Sequence, residues 1–201
     1  MKNSKQKTTT IIVIMFAVVV AIAIGFWTIL EHGRNKVKEE NIIRSKNEEV
    51  NTLVNKDLNI NYPSTPREVL KMYSRLQTCA YNQGLSEKDL TAVIEQMRVL
   101  FDDDLIAANS LEQQLEDLKK EIKEFQKKKQ TISNYVIDKD SSVKEKKIKE
   151  KEYATLVVSY LIKEDRGYNK TYEQFILRKD EENKWKILGW DLVKGEDEEQ
   201  E

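Results

Sequence analysis

Residues 152–163 read Glu152-Tyr-Ala-Thr-Leu-Val-Val-Ser-Tyr-Leu-Ile-Lys163. From 154 to 162 every even position is apolar or aromatic (Ala154, Leu156, Val158, Tyr160, Ile162), while the odd positions mix polar and apolar residues. A strand sends alternate side chains to opposite faces, so this period of two predicts a strand with one face in a core and the other half covered, as at the centre of a sheet. The flanking sequence reads as a meander around it. Thr131–Asp138 is a first strand, Asp165–Lys170 a turn, Thr171–Lys179 the partner strand, Asp180–Asn183 a second tight turn, and Lys184–Val193 the closing strand. Gly189, between Leu188 and Trp190, marks a candidate bulge. The run KEKKIKEK at Lys144–Lys151 alternates bases with acids and reads as a solvated loop.

Upstream the period changes to that of helices. Thr65-Pro66 followed by Glu68 is a capping box with proline at the first helical position, and Val69, Met72, Tyr73, Leu76 and Ala80 form its apolar stripe. Ser86 with Asp89 opens a second helix carrying Leu90, Val93, Ile94, Met97, Leu100 and Phe101. Ser110 with Gln113 opens a third carrying Leu111, Leu115, Leu118, Ile122 and Phe125, closed by Lys127, Lys128 and Lys129. Helices followed by an antiparallel meander make an α+β class: three helices packed on a curved, cone-like, four-stranded antiparallel meander that wraps one long helix.

The domain has a tether. Ile11–Leu30 holds no charge and contains thirteen Ile, Val, Leu or Phe residues. Twenty helical residues span about 30 Å, and those side chains contribute on the order of −4 to −8 kcal/mol to insertion. We read 11–30 as a transmembrane signal-anchor helix, with 1–10 a cytoplasmic tail, 31–62 a stalk or linker, 63–194 the extracytoplasmic α+β domain and 195–201 an acidic disordered tail. Lys2, Lys5 and Lys7 precede the span, and Arg34, Lys36 and Lys38 follow it. Orientation therefore rests on the absence of acids before it and the long domain after it. A cleaved signal peptide is the rival reading, through Ala21-x-Ala23.

Three capped helices followed by a four-stranded meander ending Lys-Trp185-Lys-Ile-Leu-Gly-Trp190 resemble the nuclear-transport-factor-2-like (cystatin-type cone) superfold, and the Tyr62-Pro-Ser-Thr-Pro-Arg-Glu-Val69 stretch with that closing strand resembles an uncharacterised family of membrane-anchored proteins from anaerobic Gram-positive bacteria. That resemblance spans roughly residues 48–193. It implies a cone with an apolar interior, in a superfold that hosts isomerases, dehydratases and non-catalytic binding or assembly modules, so fold alone does not select a function.

The chemistry is bounded by what is missing. The sole histidine, His32, lies at the membrane edge and the sole cysteine is Cys79, so the domain holds no histidine-based nucleophile system and no His/Cys zinc set. Beyond residue 30 there are 31 Lys or Arg and 35 Asp or Glu, a balance without a nucleic-acid footprint. Asp102-Asp103-Asp104 diverge around a helix and read as a cap. No catalytic, metal or cofactor residue is assigned. Tyr73, Tyr160, Tyr172, Trp185 and Trp190 are the candidates to line a pocket, although the same aromatics suit a core. No acid is evident at an inward strand position, and Asp191 shares a face with Trp185 and Ile187 only if no bulge intervenes. The expected function is a non-enzymatic, membrane-tethered binding or assembly module at the cell envelope, with the membrane and a protein as partners. The alternative is a small-ligand-binding or isomerase-like protein using the cone interior. A filled interior with an exposed apolar patch outside favours the first, and a cavity with an inward tyrosine and carboxylate favours the second.

Overall fold

The alternating run forms the axis of the sheet. The computed structural model describes residues 48–195, nearly all of them in the compact unit Glu49–Glu201. Lys151–Glu164 (β3) pairs antiparallel with Thr131–Ile137 (β1) on one side and Gly167–Lys179 (β4) on the other, and β4 pairs with Trp185–Val193 (β5). Ala154, Leu156, Val158 and Tyr160 are all buried, as the alternation requires. Phe175 and Leu177 meet them from β4.

The sheet has five strands, and this corrects the four-stranded meander read from the sequence. Lys144–Ile148 (β2) adds to β3 in the segment taken for a solvated loop. All five of its side chains are exposed, so main-chain pairing chiefly holds it and no apolar alternation betrays it. Its hairpin turns through Lys149 (φ 47°) and Glu150 (φ 68°), two left-handed residues as a primed two-residue turn demands, without the glycine or asparagine that ordinarily marks one. The β3–β4 turn is likewise tighter than expected, with Glu164 paired to Gly167.

Two bulges set which side chains face inward. Ser133 is extra in β1, so Ile132 and then Tyr135 and Ile137 share the inner face. In β5, Gly189 pairs with Ile176 while Ile187 pairs with Leu177, leaving Leu188 extra. The phase flips there. Trp185 and Ile187 are inward before the bulge; Trp190 and Leu192, opposite Phe175 and Glu173, are inward after it, and Asp191 is turned away.

The helices are also more numerous than the three expected. Among the described residues they cover 48–54 (α1), Pro66–Asn82 (α2), Glu87–Val99 (α3), Asp103–Ala108 (α4) and Leu111–Lys127 (α5). The caps read from the sequence are in place. The Thr65 side chain accepts from Glu68 N and Glu68 reaches back to Thr65 N; Ser86 Oγ accepts from Asp89 N and Ser110 Oγ from Gln113 N. Nine residues of α2 are buried against the sheet and α3. Asn82 clamps the end of α2 to β1, accepting from Ile132 N at 2.9 Å and donating to Ile132 O at 2.8 Å.

Two helices of 17 residues are present, α2 and α5. It is α2 that lies on the sheet, while α5 packs on α3 and α2 and buries only Ile122. Residues 49–62, assigned to a stalk, belong to the packed unit: Val50, Leu53 and Leu58 are buried. Tyr62 Oη also donates to Trp185 O at 2.8 Å. Among the described residues no helix is long and apolar enough to cross a membrane. The segment read as a span, 11–30, lies outside the described residues, as do 1–10 and 196–201.

Candidate functional site

The layering leaves space between α5, the middle of β4 and the second half of β5. A pocket of about 530 Å³ opens there, lined by Tyr73, Gln77 and Tyr81 of α2, Met97 of α3, Leu105 of α4, Gln114, Asp117, Leu118 and Glu121 of α5, Glu173 of β4, and Gly189, Trp190 and Leu192 of β5, with Phe101 and Asn109 from the connecting turns.

Its inner wall is aromatic. Phe175 and Trp190 sit opposite each other in the β4–β5 ladder and stack with centroids 5.6 Å apart. Tyr73 meets Phe175 edge-on at 5.4 Å and Trp190 at 5.7 Å, and Phe101 closes the group 6.0 Å from both Tyr73 and Trp190. Phe175 is fully buried behind the wall, whereas Trp190 is 38% exposed and Leu192 76% exposed, so apolar surface faces an open space.

The polar groups are few. Glu173 occupies the inward position two residues before Phe175, and its Oε2 is buried without a hydrogen-bond partner among the described residues. Burial, reinforced by the charge of Glu121, pushes its carboxyl up to about 7. Gln77 Oε1 is likewise buried and unpartnered. An unmade hydrogen bond at a buried oxygen costs about 1–3 kcal/mol, so two on one pocket wall are a feature to be explained. Tyr81 Oη donates to Glu121 Oε2, and its ring packs edge-on against Phe125 at 4.9 Å. Burial raises the phenols of Tyr73 and Tyr81 above the ordinary tyrosine range. Arg98 ties the outer parts together, donating to Asn109 O and Gln114 Oε1.

The five aromatics named from the sequence divide between three places. Tyr73 and Trp190 line the pocket. Tyr160 is buried deeper in the core, its hydroxyl 3.0 Å from Ser74 Oγ. Trp185 precedes the bulge and is buried under Lys179, whose Nζ lies 4.9 Å from its ring. Tyr172, one residue out of phase with Phe175, falls on the opposite face of the sheet, against Gly195. Sequence reasoning missed Glu173 and Gln77. Counting back by two from Phe175 finds the first; Gln77 follows Tyr73 by one helical turn.

A second cleft, about 570 Å³, runs along the turns beside Arg178. Its least exposed charges are paired with one another. Asp102 is buried, caps α4 by accepting from Asp104 N, and pairs with Arg178, which also reaches Asp104 at 2.7 Å. Lys179 pairs with Glu152 at 2.6 Å. With Asp102 N donating to Ile187 O and Ile187 N to Leu100 O, these contacts fasten the α3–α4 turn to β5. We assign this cleft to structure. Among the described residues no group of three or more His, Cys, Asp or Glu is placed to hold a metal.

An α+β domain in which α2 covers one face of an antiparallel sheet, and an open aromatic pocket holds unpaired acceptors, is the class the geometry defines. The chain belongs to the family described as Domain of unknown function (DUF6715), whose model it matches over residues 1–190. No curated protein matches it.

Proposed function

We propose that this chain is a membrane-tethered binding module that takes a small molecule in the pocket between α5 and the β4–β5 end of the sheet. The observation that carries the reading is the unpartnered pair Glu173 Oε2 and Gln77 Oε1 on the wall of a pocket faced by Trp190, Tyr73 and Phe101. Apolar walls with a few convergent polar groups are the composition of a ligand site, and a ligand with hydrogen-bond donors satisfies both oxygens. An assembly scaffold calls for a filled interior, and the open pocket favours the small-ligand alternative. The order of helices before a closing strand from Trp185 to Trp190 supports the nuclear-transport-factor-2-like reading of the domain. The tether rests on the apolar composition of 11–30, with the domain on the extracytoplasmic side.

The test is a ligand-observed NMR screen of the full chain in detergent micelles, using cationic, neutral and anionic fragments, repeated with Leu118→Trp, which narrows the pocket from α5. Fragments that bind the parent chain and are lost in the variant support the reading; no binding, or binding unchanged by the variant, refutes it. A carboxyl poised near neutral pH beside Tyr73 is also an arrangement for proton transfer. Turnover of a bound fragment, abolished by Glu173→Gln, would replace the binding reading with an enzymatic one.

A further inference from the structure

The ionisable groups around the pocket are of one sign. Carboxylates come from Asp117 and Glu121 on α5 and Glu173 on β4, and no lysine or arginine lines it among the described residues. The cations nearest in the hydrogen-bond network are already engaged: Arg98 of α3 with Asn109 and Gln114, and Lys120 of α5 with Asp117. The remaining titratable neighbours of Glu173 are phenols, Tyr73 and Tyr81 on α2 and Tyr160 on β3. The groups that α4 and β5 present, Leu105, Trp190 and Leu192, are uncharged. Aromatic rings present negative faces that attract cations, and here they stand beside two acceptor oxygens that have no donor.

Resting on the reading that this pocket binds a small molecule, we propose that its ligand is an organic cation, an ammonium or guanidinium head on a compact apolar body. The N–H donors of the head satisfy Glu173 Oε2 and Gln77 Oε1, and the body packs against Trp190, Tyr73 and Phe101. An anion meets Glu121 and Glu173, which no lysine or arginine pairs among the described residues, while the guanidinium of Arg98 is held at the rim by Asn109 and Gln114. A neutral molecule leaves the charge of Glu173 uncompensated in a site that penalises it. Binding a cation draws Glu173 into its ionised form: the carboxylic acid gives its proton to the buffer, and the resulting carboxylate pairs with the cation, so association releases up to one proton.

The experiment is isothermal titration calorimetry on the full chain in a non-ionic detergent, with 2-phenylethylamine, 2-phenylethanol and 3-phenylpropionate as probes of matched body and different head. The amine is expected to bind at least about tenfold more tightly than either other probe at pH 8. Because the Glu173 carboxyl lies at about 7 in the empty pocket, the amine's affinity is expected to rise about tenfold from pH 6 to pH 8. Titrations in buffers of different ionisation enthalpy should show the proton leaving. Glu173→Gln, which keeps the shape of the side chain, should erase both the pH dependence and the preference for the amine; circular dichroism confirms that it folds. Equal or tighter binding of the alcohol or the propionate overturns the cation proposal while leaving the pocket reading intact. So does failure of the amine to bind when fragments of another class occupy the pocket. No binding of any probe, together with an empty fragment screen, overturns both.

Discussion

Glu173 makes a stability prediction independent of any ligand. Its carboxyl is moved from 4.5 to about 7 by burial, so the native state holds this proton more tightly than the unfolded chain does. Stability from this group is therefore fully present below pH 4.5, declines as pH rises through 7, and levels off above it. A displacement of that size, at about 1.4 kcal/mol per unit and reduced by water entering an open pocket, makes the ionised form cost roughly 1–3 kcal/mol at pH 8. Glu173→Gln removes the ionisation and keeps the shape. Relative to the parent, the variant should gain little at pH 4.5 and roughly 2–10 °C in Tm at pH 8. Thermal unfolding of the full chain in detergent, followed by circular dichroism for both proteins at half-unit steps from pH 4.5 to 8.5, gives the difference curve. The difference between the two proteins cancels every other titrating group. A pH-independent difference, or a variant that loses stability as pH rises, would refute the argument that Glu173 is a buried, uncompensated carboxyl.

Other contacts yield independent expectations. Asp102→Ala removes the α4 cap and leaves Arg178 without its buried partner, which should cost about 3–5 kcal/mol in urea unfolding. Asp104→Ala, at the exposed end of the same pair, should cost under about 1 kcal/mol; equal costs would show that burial does not set the strength of this cluster. Replacing Lys149-Glu150 by Asn-Gly relieves two left-handed residues in the β2–β3 turn and should stabilise by about 0.5–1 kcal/mol, whereas a loss in Tm would mean the turn is not of the primed type. Burial pushes the Cys79 thiol up to about 11. It should resist a thiol-specific reagent at pH 8 in the native protein and react on addition of guanidinium; rapid native labelling would contradict its placement.

The parts of the fold legible in the sequence are those whose side chains carry the periodic signal. The even positions of β3 and the Thr65, Ser86 and Ser110 caps belong there, because burial and capping each demand a residue type at a fixed spacing. The features that escaped are held by backbone geometry. Strand β2 is paired through its main chain while its Lys-Glu-Lys-Lys-Ile side chains are solvated, and its turn uses lysine and glutamate where glycine or asparagine is ordinary. The Leu188 bulge was signalled by Gly189, but its effect, carrying Trp190 inward and Asp191 outward, follows only from the register with β4. The site was partly legible. Tyr73 and Trp190 were named as pocket candidates. Glu173 stood in phase with Phe175 and Leu177, yet a carboxylate at an inward position conflicts with the rule that charge stays outside, so pattern reading passed over it.

That conflict is the strongest argument that the pocket is kept for use. Along β4 the inward positions run Leu177, Phe175 and then Glu173; along β5, Trp190 and Leu192 follow the bulge. An apolar residue at 173 with a larger one at Leu118 would let α5 settle onto the sheet, bury Leu192 and extend the core. Instead α5 buries Ile122 alone, Leu192 stays exposed and a carboxyl sits where its ionisation is penalised. Local choices elsewhere in the domain agree with the fold, from the capping box of α2 to the Asn82 clamp on β1. What sets this wall apart from the unpartnered oxygens of Thr78 and Gln83 is that its two acceptors, Glu173 and Gln77, open on a pocket beside exposed apolar surface, where something other than the core is to be bound.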